Sequence, residues 1–230
     1  MKKQYFILMA TLMLFLSAGS VFAAENTGFY FGVSGGYAIP QTMEISNPDN
    51  SADNFNTTLD NGYLLGIKTG RNTPFTRRIM AMEIEYNYIN NDFDNKKIIP
   101  SPDNPGYYAT LDGNMSIHAL LFNLKARYPE GPIHPYAGAG LGYAYASVGD
   151  ITEREHGGLN VSIWPGESGG GFCWQLLAGV DIDIAPHMSL GIGYKYFAAY
   201  PNIREDYYRD GSADLDYRSS IITAGLTFTF

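Results

Sequence analysis

The chain reads as a series of segments in which apolar and small or polar residues alternate. In the last of them, Ile222, Ala224, Leu226, Phe228 and Phe230 fall on one side, and Ser219, Thr223, Gly225, Thr227 and Thr229 on the other. A period of two marks a strand whose two faces meet different surroundings. The same pattern predicts a first strand over 28–39, with Phe29, Phe31, Val33, Tyr37 and Ile39 on the apolar face. It predicts further strands over 62–71, 79–90, 114–128, 133–146 and 172–184, and one beginning at Met188. Opposite their apolar residues stand Gly66, Lys68 and Gly70, then Glu83 and Glu85, then Asn123, Lys125 and Arg127. The later strands set Gly138, Gly140 and Gly142, then Cys173, Gln175, Asp181 and Asp183, and finally Gly191, Gly193 and Lys195 on that face.

Connections between these strands alternate long and short. Segments 40–59, 91–112, 147–171 and 198–216 are polar, with turn signals such as Asn47-Pro48-Asp49-Asn50 and prolines at 100, 102 and 105 that exclude a regular strand. The stretches around Pro74, Pro129-Glu130-Gly131-Pro132 and Ala185-Pro186-His187 are tight turns. The expected fold is therefore all-β: an eight-stranded antiparallel up-and-down transmembrane β-barrel with four long extracellular loops and three short periplasmic turns. The second face, rich in Gly, Ala and Ser with a few charges, could not fill a dry core at native density. The apolar face is accordingly expected to look outward, into lipid, where no mid-strand position carries a charge.

Composition adds the route. Lys2 and Lys3 precede an apolar run, Tyr5 to Leu16, that is too short to span a bilayer. Small residues follow, with Val21 and Ala23 suited to a signal-peptidase site. Residues 1–23 are expected to be a signal peptide and 24–230 the barrel. Loss of the two lysines takes the formal charge from −8 to −10, so nucleic acid is not an expected partner. The single cysteine, Cys173, excludes an internal disulfide and reads as a small residue within a strand.

Two sets of residues stand out on the strands. Tyr37, Tyr63, Tyr86, Tyr88, Tyr143, Tyr145, Trp174, Tyr194 and Tyr196 fall at the extracellular ends, and Phe29, Tyr128, Phe228 and Phe230 at the periplasmic ends. Two aromatic girdles are what such a barrel forms at its interfaces. On the inner face, Lys68, Glu83, Glu85, Lys125, Arg127, Asp181, Asp183 and Lys195 supply both signs at similar depth. An eight-stranded barrel is just wide enough for side chains to fill, so these are expected to pair into a network that plugs the lumen.

The segment Gly28-Phe29-Tyr30-Phe31-Gly32-Val33-Ser34-Gly35-Gly36-Tyr37 resembles the first strand of the small outer-membrane barrel family. That family takes in opacity-type proteins, OmpX-like proteins and the membrane domain of OmpA. The resemblance continues through 123–128, 135–143, Gly179-Val180-Asp181 and the terminal Phe230. It implies export by the Sec pathway, residence in the bacterial outer membrane, and insertion by the barrel assembly machinery, with Leu226, Phe228 and Phe230 matching the signal that machinery reads. No residue follows the last strand, so OmpA's peptidoglycan-binding domain is not expected. The family spans adhesins, immune-evasion proteins, small pores and envelope-stabilising proteins.

Function is therefore expected to be structural or surface-interacting, in adhesion or envelope integrity, through the extracellular loops. The alternatives are a small ion-conducting pore and a lipid A-modifying enzyme. For the latter, Ser116 and His118 lie two apart on one face, but an acyl-transfer site needs an orienting group and an oxyanion hole as well. The loop acids include Glu44, Asp49 and Asp53, then Asp150, Glu153, Glu155 and Glu167, then Glu205, Asp206, Asp210, Asp214 and Asp216. Neither 210–216 nor His156 beside Glu153 and Glu155 has the spacing of a metal site, so no cofactor or metal is expected. Expected partners are outer-membrane lipid, lipopolysaccharide, and a host or surface ligand met by exposed aromatics such as Trp164, Tyr200, Tyr207 and Tyr208; the barrel itself is expected to be a monomer.

Overall fold

Antiparallel pairing passes from each long strand to the next until the last meets the first. The computed structural model describes residues 28–41, 43–46, 55–57, 59–73, 76, 79–92, 99–100, 108–149, 151–155, 161–164, 167–205 and 211–230. The segment expected to be a signal peptide lies outside them. Eight long strands form the barrel: β1 (Phe29–Pro40), β4 (Gly62–Asn72), β5 (Met80–Asp92), β8 (Asn114–Arg127), β9 (Ile133–Val148), β12 (Glu167–Ala185), β13 (Met188–Glu205) and β14 (Gly211–Thr229). β1 pairs β14 from Tyr30↔Thr229 to Pro40↔Ser219, and this ladder closes the cylinder.

Strand length differs from the expectation at the loop end. β12 and β14 run for 19 residues and β13 for 18. A tilted strand crosses a bilayer in about 9–11 residues, so these three project well beyond the spanning band. Segments read as loop, including Glu167, Glu205, Asp214 and Asp216, are instead strand. The reason is that hydrogen bonds of a closed ladder continue upward as long as the neighbouring strand does, whatever the side chains. Short strands join them there: β2 (Met43–Ser46) pairs β14, and β3 (Phe55–Thr57) pairs β2. A separate four-stranded sheet is built from β6 (Ile99–Pro100), β7 (Tyr108–Asp112), β10 (Ile151–Glu155) and β11 (Val161–Trp164).

At the other end the turns are tight. Gly131 adopts φ 73 between Pro129 and Pro132, a left-handed conformation that a side chain would strain. Thr73 and Thr76 close the β4–β5 turn, the Thr73 hydroxyl donating to the Met80 carbonyl at 2.8 Å.

The outer face carries Leu65, Ile67, Ile84, Leu120, Phe122, Leu141, Ile192 and Ile222, each around half exposed. So wide an apolar belt is stable only against hydrocarbon. The interior divides into two layers, and here the structure departs from the expected inner face of small and charged residues. Nearer the turns it is ionic. Nearer the loops it is apolar, with Leu64, Ile89, Met115, Ile117, Leu121, Phe197, Tyr217 and Ile221 all buried. Phe197 meets Tyr217 edge-on at 6.2 Å between ring centroids, and the Tyr217 hydroxyl donates across the lumen to Asn91 Oδ1 at 2.8 Å. Leu64, Ile89, Met115, Ile117, Leu121 and Ile221 lie on the inner faces of the expected strands, among small and polar residues, and Phe197 and Tyr217 border the segment 198–216 expected as loop.

Candidate functional site: the barrel lumen

Glu83 and Glu85 sit two apart on β5, so both point into the lumen one above the other. Glu83 accepts hydrogen bonds from the Tyr30 hydroxyl at 3.0 Å and Asn123 Nδ2 at 2.9 Å. It also lies 3.6 Å from the Lys125 ammonium and 3.8 Å from that of Lys68. Glu85 accepts from Gln175 Nε2 at 2.7 Å and Asn123 Nδ2 at 3.0 Å, and forms an ion pair with Lys195. Gln175 Nε2 also donates to Asn123 Oδ1 at 2.8 Å, joining the two clusters. Lys125 rests over the Tyr136 ring, 4.2 Å from its centroid.

The inner glycines provide the space for this crossing. A Cβ on Gly140 would stand 1.9 Å from Asn123 Oδ1, so the amide lies where only a hydrogen fits. Opposite charges held at these distances in a low dielectric offset the cost of their desolvation when the remaining donors and acceptors are also satisfied.

Asp181 is buried and lines two cavities of about 30 Å³ each, together with Lys68 and Lys125. Each has room for one or two water molecules, which need roughly 10–15 Å³ apiece by this measure. Arg127 lines one of these cavities as well, and 3.9 Å from it Asp183 stands apart at the turn end, its side chain 42% exposed. The expectation of similar depth therefore fails for Asp183, which borders the bulge at the end of its strand. Among the described residues, Asn87 has neither amide atom paired although it is wholly buried, at the junction of the ionic and apolar layers.

The sequence reading missed Tyr30, Asn123, Gln175, Tyr136 and His134 as network members. Their inward parity was the available signal, but uncharged inward residues do not stand out in a strand.

The aromatics sort by height. Tyr63 stacks at a tilt on Tyr88 (6.1 Å), Trp174 on Tyr196 (5.6 Å), and the Tyr194 hydroxyl meets Ser220 Oγ at 2.9 Å, all near the loop end. Tyr37 and Tyr63 are register partners there, and Tyr86, Tyr143 and Tyr145 also face outward. Phe29, Tyr128, Phe228 and Phe230 ring the turn end, Arg71 lying 4.9 Å over the Phe29 ring. Leu226 and Phe228 pair with Val33 and Phe31 in the closing ladder.

His118 faces outward near the loop end, with Tyr86 Oη 2.6 Å from its Nδ1 and the Tyr88 ring 5.0 Å away. Among the described residues no hydrogen bond joins Ser116 to His118. The side chains of Glu44, Glu153, Glu155, Trp164, Glu167 and Glu205 lie outside the described set, as do Asp49, Asp53, Asp150, His156, Asp206, Tyr207, Tyr208 and Asp210.

The model of the outer membrane protein β-barrel domain matches residues 8–230. The chain belongs to this family. The outer-membrane barrel is therefore oriented by its turns, which are periplasmic, and its loops, which are extracellular. It is similar in structure to Neisserial surface protein A (NspA), at 18% identity and TM-score 0.52, over 88% of this chain and 97% of that one. It is also similar to the outer membrane protein OprG from Pseudomonas aeruginosa, at 12% identity and TM-score 0.54, over 90% and 97%. At such identities the likeness concerns the fold. No curated protein matches the sequence.

Proposed function

We propose that this outer-membrane barrel is an ion-tight, non-enzymatic scaffold whose extracellular hairpins act at the cell surface, in adhesion or envelope integrity. The observation that carries the reading is the doubly closed lumen. An ionic layer spans the periplasmic half, and above it Leu64, Ile89, Ile117, Leu121, Phe197 and Ile221 leave at most 1% of their surface exposed. A hydrated ion crossing the barrel would have to enter that apolar layer unpaired, at a cost of several kcal/mol or more. A pore would need both layers to open at once. The Tyr86 contact on His118, with no bond to Ser116, supports the non-enzymatic side of the reading.

The outward part of the proposal rests on the projecting β12–β13–β14 wall. It lifts acidic and aromatic residues such as Tyr200, Asp214 and Asp216 to the level of lipopolysaccharide and beyond, where a surface ligand could meet them. Planar-bilayer recording tests the first half: purified barrel is expected to give no discrete conductance, and reproducible steps would overturn the ion-tight reading. A deletion strain compared for detergent sensitivity and cell adhesion tests the second half. A barrel trimmed of its extracellular hairpins that restores every phenotype would overturn the role assigned to them.

A further inference from the structure

One carboxylate of the ionic layer has no direct partner. Asp181 of β12 is 7% exposed, yet among the described residues it makes no hydrogen bond and no ion pair. Its carboxylate lies over Gly191 of β13, where a Cβ would stand 2.7 Å from Oδ1. From there it lines both cavities of about 30 Å³, as do Lys68, Lys125 and Thr227. These four side chains are the common wall of the two.

Donors on the same walls are unmet as well. Lys68 and Lys125 stand 3.8 Å and 3.6 Å from Glu83 Oε2, within charge attraction but beyond a hydrogen bond. Arg127 lines the cavity that also touches Ser189 and Thr229, and its Nε is buried with no hydrogen-bond partner. Glu83 and Glu85 differ from Asp181 in taking donors directly, from Tyr30, Asn123, Gln175 and Lys195.

Ammonium and guanidinium groups only donate, and a carboxylate only accepts. A cation bound here would leave the N–H groups unmet, and an anion would meet them but repel Asp181. The eight inner charges are already four of each sign, so a neutral occupant keeps the balance. A molecule that both accepts and donates satisfies every group, and each cavity has room for one or two of water's size. We infer that this junction is a hydration site. Ordered waters accept from Lys68, Lys125 and Arg127 Nε and donate to Asp181, joining β4 and β8 to β12 across the lumen.

The site opens one way. On its extracellular side stands the apolar layer, where Phe197 and Ile221 leave at most 1% of their surface exposed. On its periplasmic side the Arg127 side chain is 19% exposed. Water therefore exchanges with the periplasm through that mouth and stops beneath the apolar layer, since cavities lined by apolar groups stay dry.

Water-edited solid-state NMR of the isotope-labelled full chain in lipid reads these contacts, because proton polarisation passes from water to nearby carbons. The Asp181 carboxyl carbon is expected to gain signal on the time scale of the exposed Asp214, and the Phe197 and Ile221 side chains to gain it several-fold more slowly. An Asp181 signal as slow as that of Phe197 would overturn the hydration site, and equal rates at all four would overturn entry from one side. Replacing chloride by gluconate tests an anion in place of water. The Lys68 and Lys125 Nζ resonances are expected to stay put, and a chloride-dependent shift would overturn the assignment of water. Asp181→Leu removes the acceptor and is expected to slow transfer to Lys125 Cε; unchanged transfer would show that Asp181 holds no bridging water. If that variant does not refold, the wild-type measurements decide alone.

Discussion

Replacing Glu85 with alanine removes the acceptor on which the lumen network converges. Glu85 is 2% exposed and Lys195 8%, so the change leaves an ammonium inside the barrel with its counter-charge gone. Breaking a buried pair in this way costs about 3–5 kcal/mol. The two amide donors add little to that figure. Asn123 Nδ2 keeps Glu83 at 2.9 Å, and Gln175 Nε2 keeps Asn123 Oδ1 at 2.8 Å. With a urea dependence of roughly 1–3 kcal/mol per molar for a domain of modest size, the midpoint is expected to drop by about 2 M. The assay is urea titration of barrel refolded in lipid vesicles, followed by tryptophan fluorescence and by gel mobility. Glu130→Ala, in the exposed turn, serves as control and is expected to stay within about 0.5 kcal/mol of wild type. A Glu85→Met, Lys195→Met double variant is expected to recover most of the loss, because the uncompensated charge is then gone. Equal midpoints for Glu85→Ala and Glu130→Ala would refute a dry, paired network and would mean that water already screens these charges.

Three further outcomes follow from the same geometry. Ile192→Lys places a cation on the outer face near mid-strand and is expected to destabilise the lipid-embedded barrel by about 2–4 kcal/mol in the same titration. Asn87→Leu replaces a buried amide that has neither atom paired and is expected to stabilise by about 1–3 kcal/mol; a loss of stability would mean that the amide is solvated. Cys173 is wholly buried and faces inward, so maleimide is expected to label it only after unfolding; rapid labelling of the folded barrel, read by mass spectrometry, would contradict the sealed extracellular half.

Alternation along the chain was enough to find eight strands, their facing and the outward direction of the apolar side, because a strand's period of two is a local property and hydrocarbon is the only medium that accepts so much exposed Leu, Ile and Phe. The eight inner charges were legible for the same reason. What the sequence left open was which of them meet. Glu85 and Lys195 are 110 residues apart, and only closure of β1 on β14 fixes the stagger that brings them together. The uncharged members Tyr30, Asn123, Gln175 and Tyr136 were hidden because parity gives a side chain's direction and not its reach across the lumen. Part of the apolar extracellular layer was decided only by tertiary structure. Ile203 and Leu215 lie in the segment 198–216 that reads as loop, with Phe197 and Tyr217 at its borders, and they become a core only because the ladder carries their strands upward and encloses them.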